Sequence, residues 1–134
     1  MRQLLALFLF VLVVSACKKN NDDSPAYELS GRFRGTFNRS GNPDTAQVSF
    51  NFKPDMSFDG TGGATYYPAI CAGSFQRNNN TLIVNDSCAW TANFDWSLIF
   101  DGNYNINFTS ENSVRIWRTN GAVTDEYLLN RIIR

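Results

Sequence analysis

The side chains in this sequence that could carry out chemistry are few. The chain contains no histidine, and 12 acidic residues balance 12 basic ones. Without an imidazole no serine can be activated by a Ser-His-Asp arrangement, and the most common metal ligand is absent. Only carboxylates, tyrosines and lysines remain as candidate acids or bases. We therefore predict that the protein is not an enzyme, and we expect neither a cofactor nor a metal site.

Charge also limits the partners of the protein. Charged residues make up 18% of the chain, and the formal net charge is zero. Binding to nucleic acid requires clustered lysines and arginines that displace counterions from phosphates. We therefore expect no nucleic-acid partner.

Two of the three cysteines fall in a predicted hairpin. A two-residue turn at Asn79-Asn80 places Cys71 directly opposite Cys88. Opposed cysteines on one face of an antiparallel pair can reach the Cα separation of about 5.5 Å that a disulfide needs. Because the start of the chain indicates export to an oxidising compartment, we predict a disulfide between Cys71 and Cys88.

That start has the pattern of a secretory signal. Met1-Arg2-Gln3 is a short basic beginning, and residues 4–14 are an unbroken apolar run that precedes Ser15 and Ala16. A helix needs about 20 apolar residues to cross a bilayer, so this run is too short for a permanent anchor. We expect residues 1–16 to be a signal peptide that is removed.

Cys17 follows the signal directly. Val14-Ser15-Ala16-Cys17 resembles the lipobox of bacterial lipoproteins, which implies that Cys17 is lipidated and becomes the first residue of the mature chain. The rest of residues 17–26 has no large apolar side chain, and we expect a flexible tether there. In Gram-negative sorting an Asp after this cysteine marks inner-membrane retention, so Lys18 favours the outer membrane. The predicted location is a lipid anchor in the cell outer membrane, with periplasmic and surface exposure both left open.

Residues 27–134 are predicted to form a single all-β domain. Apolar and polar residues alternate along this part, and apolar residues do not recur at helical spacing. The predicted strands lie near 31–38, 45–53, 57–62, 72–77, 81–86, 95–100, 104–109, 113–118 and 124–131. A meander closed by antiparallel pairing needs an even number of strands. One of these strands is therefore wrong, one more is missed, or the closure is partly parallel.

Turn signals set the register of the hairpins. The predicted opposed pairs are Phe33 with Phe50, Phe37 with Ala46, Phe52 with Phe58, Phe100 with Tyr104, Trp96 with Phe108, Phe108 with Val114, Ile106 with Ile116, Val114 with Tyr127 and Arg115 with Glu126. Almost every register keeps large apolar residues on one face, although a slip of one residue would reverse the faces. We therefore predict an antiparallel up-and-down barrel of about eight to ten strands. The candidate lining residues are Phe33, Phe37, Val48, Phe50, Phe52, Phe58, Trp96, Tyr104, Ile106, Phe108, Val114, Ile116, Tyr127 and Leu129.

The first and last predicted strands carry short motifs. Gly31-Arg32-Phe33 opens the first strand, and Tyr127-Leu128-Leu129-Asn130-Arg131 closes the last. With the lipobox and tether, this order resembles the lipocalin-like lipoproteins of Gram-negative envelopes. Lipocalins open with Gly-x-Trp and place a late arginine over that ring, roles that would fall here to Phe33 and Arg131. The resemblance implies a barrel that binds a small apolar molecule.

Two functions stay open from the sequence. An eight-stranded barrel is just wide enough to be filled by side chains or to hold one small ligand. The first hypothesis is a lipocalin-like carrier or sensor of a small apolar ligand. The second is a filled barrel that serves as a structural or surface interaction module, with sites on its loops or on the outward residues Arg115, Trp117 and Leu128. The membrane is the expected partner through the lipid anchor, and no protein partner is identified.

Overall fold

A computed structural model describes residues 26–63 and 65–133 of the chain. These residues form eight strands: β1 (Gly31–Arg39), β2 (Thr45–Phe52), β3 (Ser57–Gly62), β4 (Ala72–Asn78), β5 (Thr81–Asp86), β6 (Gly102–Ser110), β7 (Ser113–Asn120) and β8 (Val123–Arg131). A short 3-10 helix, Trp96–Leu98, lies between β5 and β6. Within the described ranges, no helix has the length and apolar character needed to cross a membrane.

The strands close into one barrel. Each strand pairs antiparallel with the next, and β8 returns to pair with β1. The prediction of an antiparallel up-and-down barrel is confirmed, with eight strands. Side chains alternate between the interior and the outer face along each strand. In β2, for example, the side chains that point inward and are buried are Ala46, Val48, Phe50 and Phe52.

Short turns give the registers that the sequence predicts. Phe33 pairs with Phe50 across β1 and β2, and Phe52 pairs with Phe58 across β2 and β3. Phe108 pairs with Val114 across β6 and β7. In these hairpins the Gly, Asn, Asp and Pro signals at the turns are sufficient to define the strand pairing.

The predicted strand at 95–100 is wrong. Trp96–Leu98 forms the 3-10 helix, and β6 begins at Gly102. The carboxylate of Asp95 accepts a hydrogen bond from the backbone N–H of Ser97 at 3.0 Å, which caps this turn. The segment then bonds to the β3–β4 loop, since the N–H of Phe100 donates to the carbonyl oxygen of Ala69 at 2.9 Å. It therefore cannot form the predicted hairpin with β6.

The predicted register of the last hairpin is also wrong, by two residues. Val114 pairs with Leu129 rather than Tyr127, and Arg115 pairs with Leu128 rather than Glu126. The two turn residues are Gly121 and Ala122, and Gly121 has a φ of +59°, as a glycine at the first central position of a hairpin turn can. A slip of two residues keeps every side chain on its predicted face.

Aromatic rings fill the interior of the barrel. Phe50 lies near the centre, with ring centroids 5.2 Å from Phe52, 4.9 Å from Phe100 and 5.9 Å from Tyr127. The fully buried rings include Phe33, Phe37, Phe52, Phe58, Phe100 and Tyr127. Contacts of this kind add to the free energy gained from the buried apolar area.

Alternate connections place two sets of loops at opposite ends of the barrel. We call one end the amino-terminal end; it carries residues 26–30 and 132–133 and the turns 53–56, 79–80 and 111–112. We call the other the loop end; it carries residues 40–44, 63, 65–71, 87–101 and 121–122. The two long connections of the barrel, β3–β4 and β5–β6, therefore lie together at the loop end.

Candidate functional site

A disulfide joins the two long loops of the loop end. Cys71 stands at the end of the β3–β4 loop and Cys88 near the start of the β5–β6 loop, and their sulfur atoms are bonded with Cα atoms 6.3 Å apart. The disulfide predicted from the hairpin register is confirmed. Its position makes the two loops one connected surface.

The β5–β6 loop folds back over the mouth of the barrel as a cap segment, residues 95–101. Its backbone bonds to the β3–β4 loop, where the N–H of Ala69 donates to the carbonyl oxygen of Leu98 at 3.1 Å. The side chains of Leu98 and Phe100, both in the cap segment, are buried. At its start, hydrogen bonds from Ser97 to the carboxylate of Asp95 hold the pKa of Asp95 below its usual value.

Two arginines bracket one buried carboxylate at the same mouth. Asp125 on β8 is only 4% exposed. Its oxygens accept from Arg39 Nε at 2.6 Å and Arg39 Nη2 at 2.9 Å, and Arg118 Nε lies 3.3 Å away. The hydrogen bond to Asp125 raises the pKa of Arg39. The bidentate contact fixes the guanidinium of Arg39, as a fork-shaped donor allows, and Arg118 makes a single contact with the same carboxylate.

The same two arginines hold the cap segment in place. Arg118 donates to the carbonyl oxygens of Asp101 at 2.6 Å and Ile99 at 3.2 Å. Arg39 donates to the carbonyl oxygen of Ser97 at 3.2 Å and to the carboxylate of Asp95 at 2.8 Å. We refer to Arg39, Arg118 and Asp125 as the clamp, because they connect strands β1, β7 and β8 to the cap segment.

A tyrosine pair lies beneath the clamp. The Arg118 guanidinium lies 4.8 Å from the ring centroid of Tyr104, a cation–π distance. Burial raises the pKa of Tyr104 and of Tyr127. In the described part of the chain, the buried hydroxyl of Tyr104 has no hydrogen-bond partner.

The two joined loops also carry an aromatic cluster outside the barrel, made of Tyr66, Trp90, Phe94 and Trp96. Tyr66 stacks on Phe94 with centroids 4.4 Å apart. Trp90 packs edge-on against both of these rings. The Trp90 indole N–H donates to the carboxylate of Asp86 at 2.6 Å. The pKa of Asp86 is raised by burial, although this hydrogen bond opposes the effect.

Trp96 lies at the edge of this cluster and does not line the barrel. It is 58% exposed, so its assignment as an interior residue is wrong. The 3-10 helix turns the side chain outward, whereas a strand through 95–100 would have directed it inward. Trp96 instead lines a depression of about 350 Å³ together with Asp86, Ser97, Ile99, Asp101, Arg118 and Asn120.

The structure places the other predicted lining residues as follows. Twelve are buried in the interior: Phe33, Phe37, Val48, Phe50, Phe52, Phe58, Tyr104, Ile106, Val114, Ile116, Tyr127 and Leu129. Phe108 is only half-buried and packs against the edge of the core. Its ring lies 5.8 Å from Tyr27 and 4.8 Å from the Arg77 guanidinium, at the amino-terminal end, where the pairing of β6 and β7 becomes irregular.

The amino-terminal end is closed by Arg131. Its guanidinium lies 4.7 Å from the ring centroid of Phe33. It also donates to the carbonyl oxygens of Ser30 and, at 2.9 Å, Glu28. The late arginine and the first-strand ring are therefore in contact, as the sequence motifs led us to expect.

The other residues that the sequence suggested as sites are not part of the loop end. Cys17 lies outside the described residues. On the outer face of the barrel, Arg115 covers the ring of Trp117 at 4.2 Å and pairs with Glu126, while Leu128 is exposed on β8. In the described ranges, no three Asp, Glu or Cys side chains are grouped closely enough to hold a metal ion.

Comparison of the chain with protein-family models, with curated proteins and with solved structures finds no match.

The clamp and the aromatic cluster are the parts of this site that the sequence analysis missed. One available signal was the pair Arg118 and Asp125, which are opposite charges that meet if Gly121-Ala122 is taken as the turn. Another was Asp95-Trp96-Ser97, since an Asp two residues before a Ser often caps a turn. The contacts of Tyr66 with Trp90 and Phe94 cross two loops and have no local signal.

Proposed function

We propose that the protein is a non-enzymatic binding module, anchored by lipid to the outer membrane, that presents the loop end of a filled barrel to its partner. The observation that carries this proposal is the interior, in which aromatic rings touch from Phe33 at one end to Phe37 and Tyr127 at the other. Small barrels of eight strands can be filled in this way by their own side chains. Surfaces on the loops are then the natural place for binding.

The entry point of the chain supports the same orientation. Residues 26–30 lead into β1 at the amino-terminal end. A lipid on Cys17 would therefore connect the barrel to the membrane through that end. An extended chain spans at most about 3.5 Å per residue, so a tether over residues 17–26 would reach about 30 Å. The loop end, on the far side of the barrel, would face away from the bilayer.

A second candidate function is the carrier of a small apolar ligand, the role implied by the resemblance to lipocalins. The unpartnered hydroxyl of Tyr104 under the cap segment favours it, because a buried polar group without a partner is costly. A ligand would have to enter past the clamp and displace aromatic rings. For this reason we rank the carrier second.

Native mass spectrometry of the protein, expressed from the full-length chain and extracted in mild detergent, tests the filled interior. We expect the mass of the acylated protein alone, and no saturable binding of a fluorescent fatty-acid analogue. A Phe58→Ala variant is the matched control, since it opens a cavity in the core that small aromatic molecules such as benzene can enter. Benzene should raise the melting temperature of this variant and not that of the wild type. Saturable binding of either probe by the wild type would favour the carrier instead.

The anchor has its own test. Replacing Cys17 with Ala removes the sulfur that would be acylated, so we expect the protein to appear in the soluble fraction of the envelope. Cys71→Ser is the matched control, because it removes a cysteine from the barrel and leaves the lipidation site intact. Equal membrane partitioning of Cys17→Ala and wild type would contradict the anchor.

A further inference from the structure

Trp96 is exposed, yet its position is fixed. The helix that carries it is capped by Asp95 and held by Arg39, and its indole N–H donates to the carbonyl oxygen of Ala92 at 3.3 Å. Phe94 supports the ring from within the aromatic cluster, with centroids 6.3 Å apart. A large apolar ring held rigidly at the surface is a preorganised contact, because little side-chain entropy remains to be lost on binding.

The depression beside Trp96 has polar walls from three different parts of the chain. Asp101 follows the cap segment's helix, Asp86 ends β5 and Asn120 ends β7. One carboxylate oxygen of Asp101 accepts the N–H of Asp86 at 2.8 Å, and Asp101 also lines the depression, where its second oxygen is an acceptor that a ligand could use. Asn120 is exposed, and its carboxamide can both donate and accept hydrogen bonds.

We propose that this depression binds a carbohydrate, an inference that rests on the proposed use of the loop end as the binding surface. One face of a sugar ring carries C–H groups that can pack on an indole, while its edge carries hydroxyls that both donate and accept hydrogen bonds. Trp96 supplies the flat apolar contact. Asp101 and Asn120 supply acceptors and donors at its border. The volume of about 350 Å³ lies within the usual range for small-ligand sites.

The polar walls of the depression disfavour anions and apolar ligands. An anion would meet the carboxylates of Asp86 and Asp101, while the guanidinium of Arg118 is already committed to Asp125 and to backbone carbonyl oxygens. An organic cation would meet the same two carboxylates, and choline binding therefore distinguishes this alternative from a sugar. An apolar ligand would leave the carboxylates and the amide without partners. The hydroxyls of a neutral sugar can donate hydrogen bonds to these carboxylates and can both donate to and accept from the amide of Asn120.

Titration by two-dimensional NMR tests the proposal. The ¹⁵N-labelled full-length protein in detergent is titrated with three soluble probes: maltohexaose, cellohexaose and chitohexaose. We expect at least one to shift the Trp96 indole and the Asn120 side-chain amide signals in a saturable way. Trp96→Ala should weaken that binding about tenfold, the loss expected for a stacked ring. Trp117→Ala removes a different tryptophan, on the outer face of β7, and should leave the affinity unchanged.

Two outcomes would overturn the proposal. The first is that none of the three probes shifts these signals at millimolar concentration, or that Trp96→Ala binds as tightly as the wild type. The second is saturable binding of choline chloride at Trp96 without any sugar, which would make the depression a cation site. Neither outcome bears on the filled interior, which the fatty-acid and benzene experiments test separately.

Discussion

At the amino-terminal end one arginine, Arg131, packs on Phe33 and binds the carbonyl oxygens of the incoming chain, whereas at the loop end Arg39 and Arg118 bracket the buried Asp125. Within residues 26–63 and 65–133, no buried carboxylate lies opposite Arg131. The arrangement at the loop end couples two cations to one anion and uses their remaining N–H groups to hold the cap segment. At the amino-terminal end, short turns are enough to hold neighbouring strands together. At the loop end, the long loops are held in place by contacts between residues far apart in the sequence.

This contrast indicates that the two ends of the barrel are stabilised in different ways. The amino-terminal end is a closure made by the strands themselves and by residues next to them. The loop end is assembled from contacts between residues far apart in sequence, and it presents polar and aromatic side chains outward. Perturbations should therefore affect the two ends to different degrees.

The largest effect is expected for Asp125→Ala. It leaves the guanidinium groups of Arg39 and Arg118 largely buried without their shared carboxylate. Removing one partner of a buried pair typically costs about 3–5 kcal/mol. Urea denaturation followed by fluorescence measures the free energy of unfolding. Asp59→Ala is the matched control, because its ion pair with Lys53 is exposed and should matter little. Equal losses for both variants would mean that the clamp does not hold the loop end.

The next largest effect is expected when Cys71 and Cys88 are both replaced by Ser. Their bond closes a chain separation of 17 residues, and the chain-entropy model gives about 3 kcal/mol for a loop of this size. The loss should be local to the loop end. Hydrogen exchange should accelerate in residues 65–71 and 87–101 and stay slow in β1 and β2. Faster exchange of equal size at both ends would contradict the separation of the two ends.

A smaller effect is expected at the amino-terminal end for Arg131→Met. The change keeps an apolar stem but removes the cation over Phe33 and the donors to Ser30 and Glu28. We expect a loss of about 2 kcal/mol in the free energy of unfolding. Arg34→Met, at an exposed position on the same sheet, is the matched control. The prediction fails if both arginine variants unfold at the same urea concentration.

The smallest effect is a pH-dependent gain for Asp86→Asn. Burial raises the pKa of Asp86 above 3.8, so the folded state holds this proton more tightly than the unfolded state. That stabilisation is full below pH 3.8 and is lost as the pH rises through the folded-state pKa. At neutral pH the partly buried charge of Asp86 therefore costs stability. Asn removes this charge and keeps an oxygen that can accept from the Trp90 indole N–H. The melting temperature should rise relative to wild type at neutral pH and match it below about pH 3. A gain of the same size at both pH values would exclude titration of Asp86 as the cause.

The sequence predicts the amino-terminal end better than the loop end. A turn such as 53–56 carries its own signal, and the register of β2 with β3 follows from it. The β7–β8 turn offered two neighbouring choices, Asn120-Gly121 and Gly121-Ala122, and the pairing of Ile116 with Tyr127 decides between them. That pairing is a tertiary contact, so local turn chemistry alone could not select it.

The cap segment shows why the rest escaped prediction. Trp96, Leu98 and Phe100 alternate as they would in a strand with one buried face. Leu98 and Phe100 are indeed buried, but Trp96 is not. The segment takes its shape from Asp95, which caps the turn, and from Ala69, which bonds to it across the loops. Alternation reports which side chains are apolar, and it does not report which backbone groups are available as partners.

The pairing of β8 with β1 has a consequence for how this protein can meet other chains. In a closed sheet every strand has a neighbour on both sides, so none of the eight strands is an edge strand along its whole length. Recognition by strand addition, and the templated aggregation that follows from the same chemistry, is therefore disfavoured in the native state. Both hazards return in any form of the chain in which β8 is not paired with β1, because β1, with Phe33 and Phe37, and β8, with Tyr127, Leu128 and Leu129, then each have an open edge.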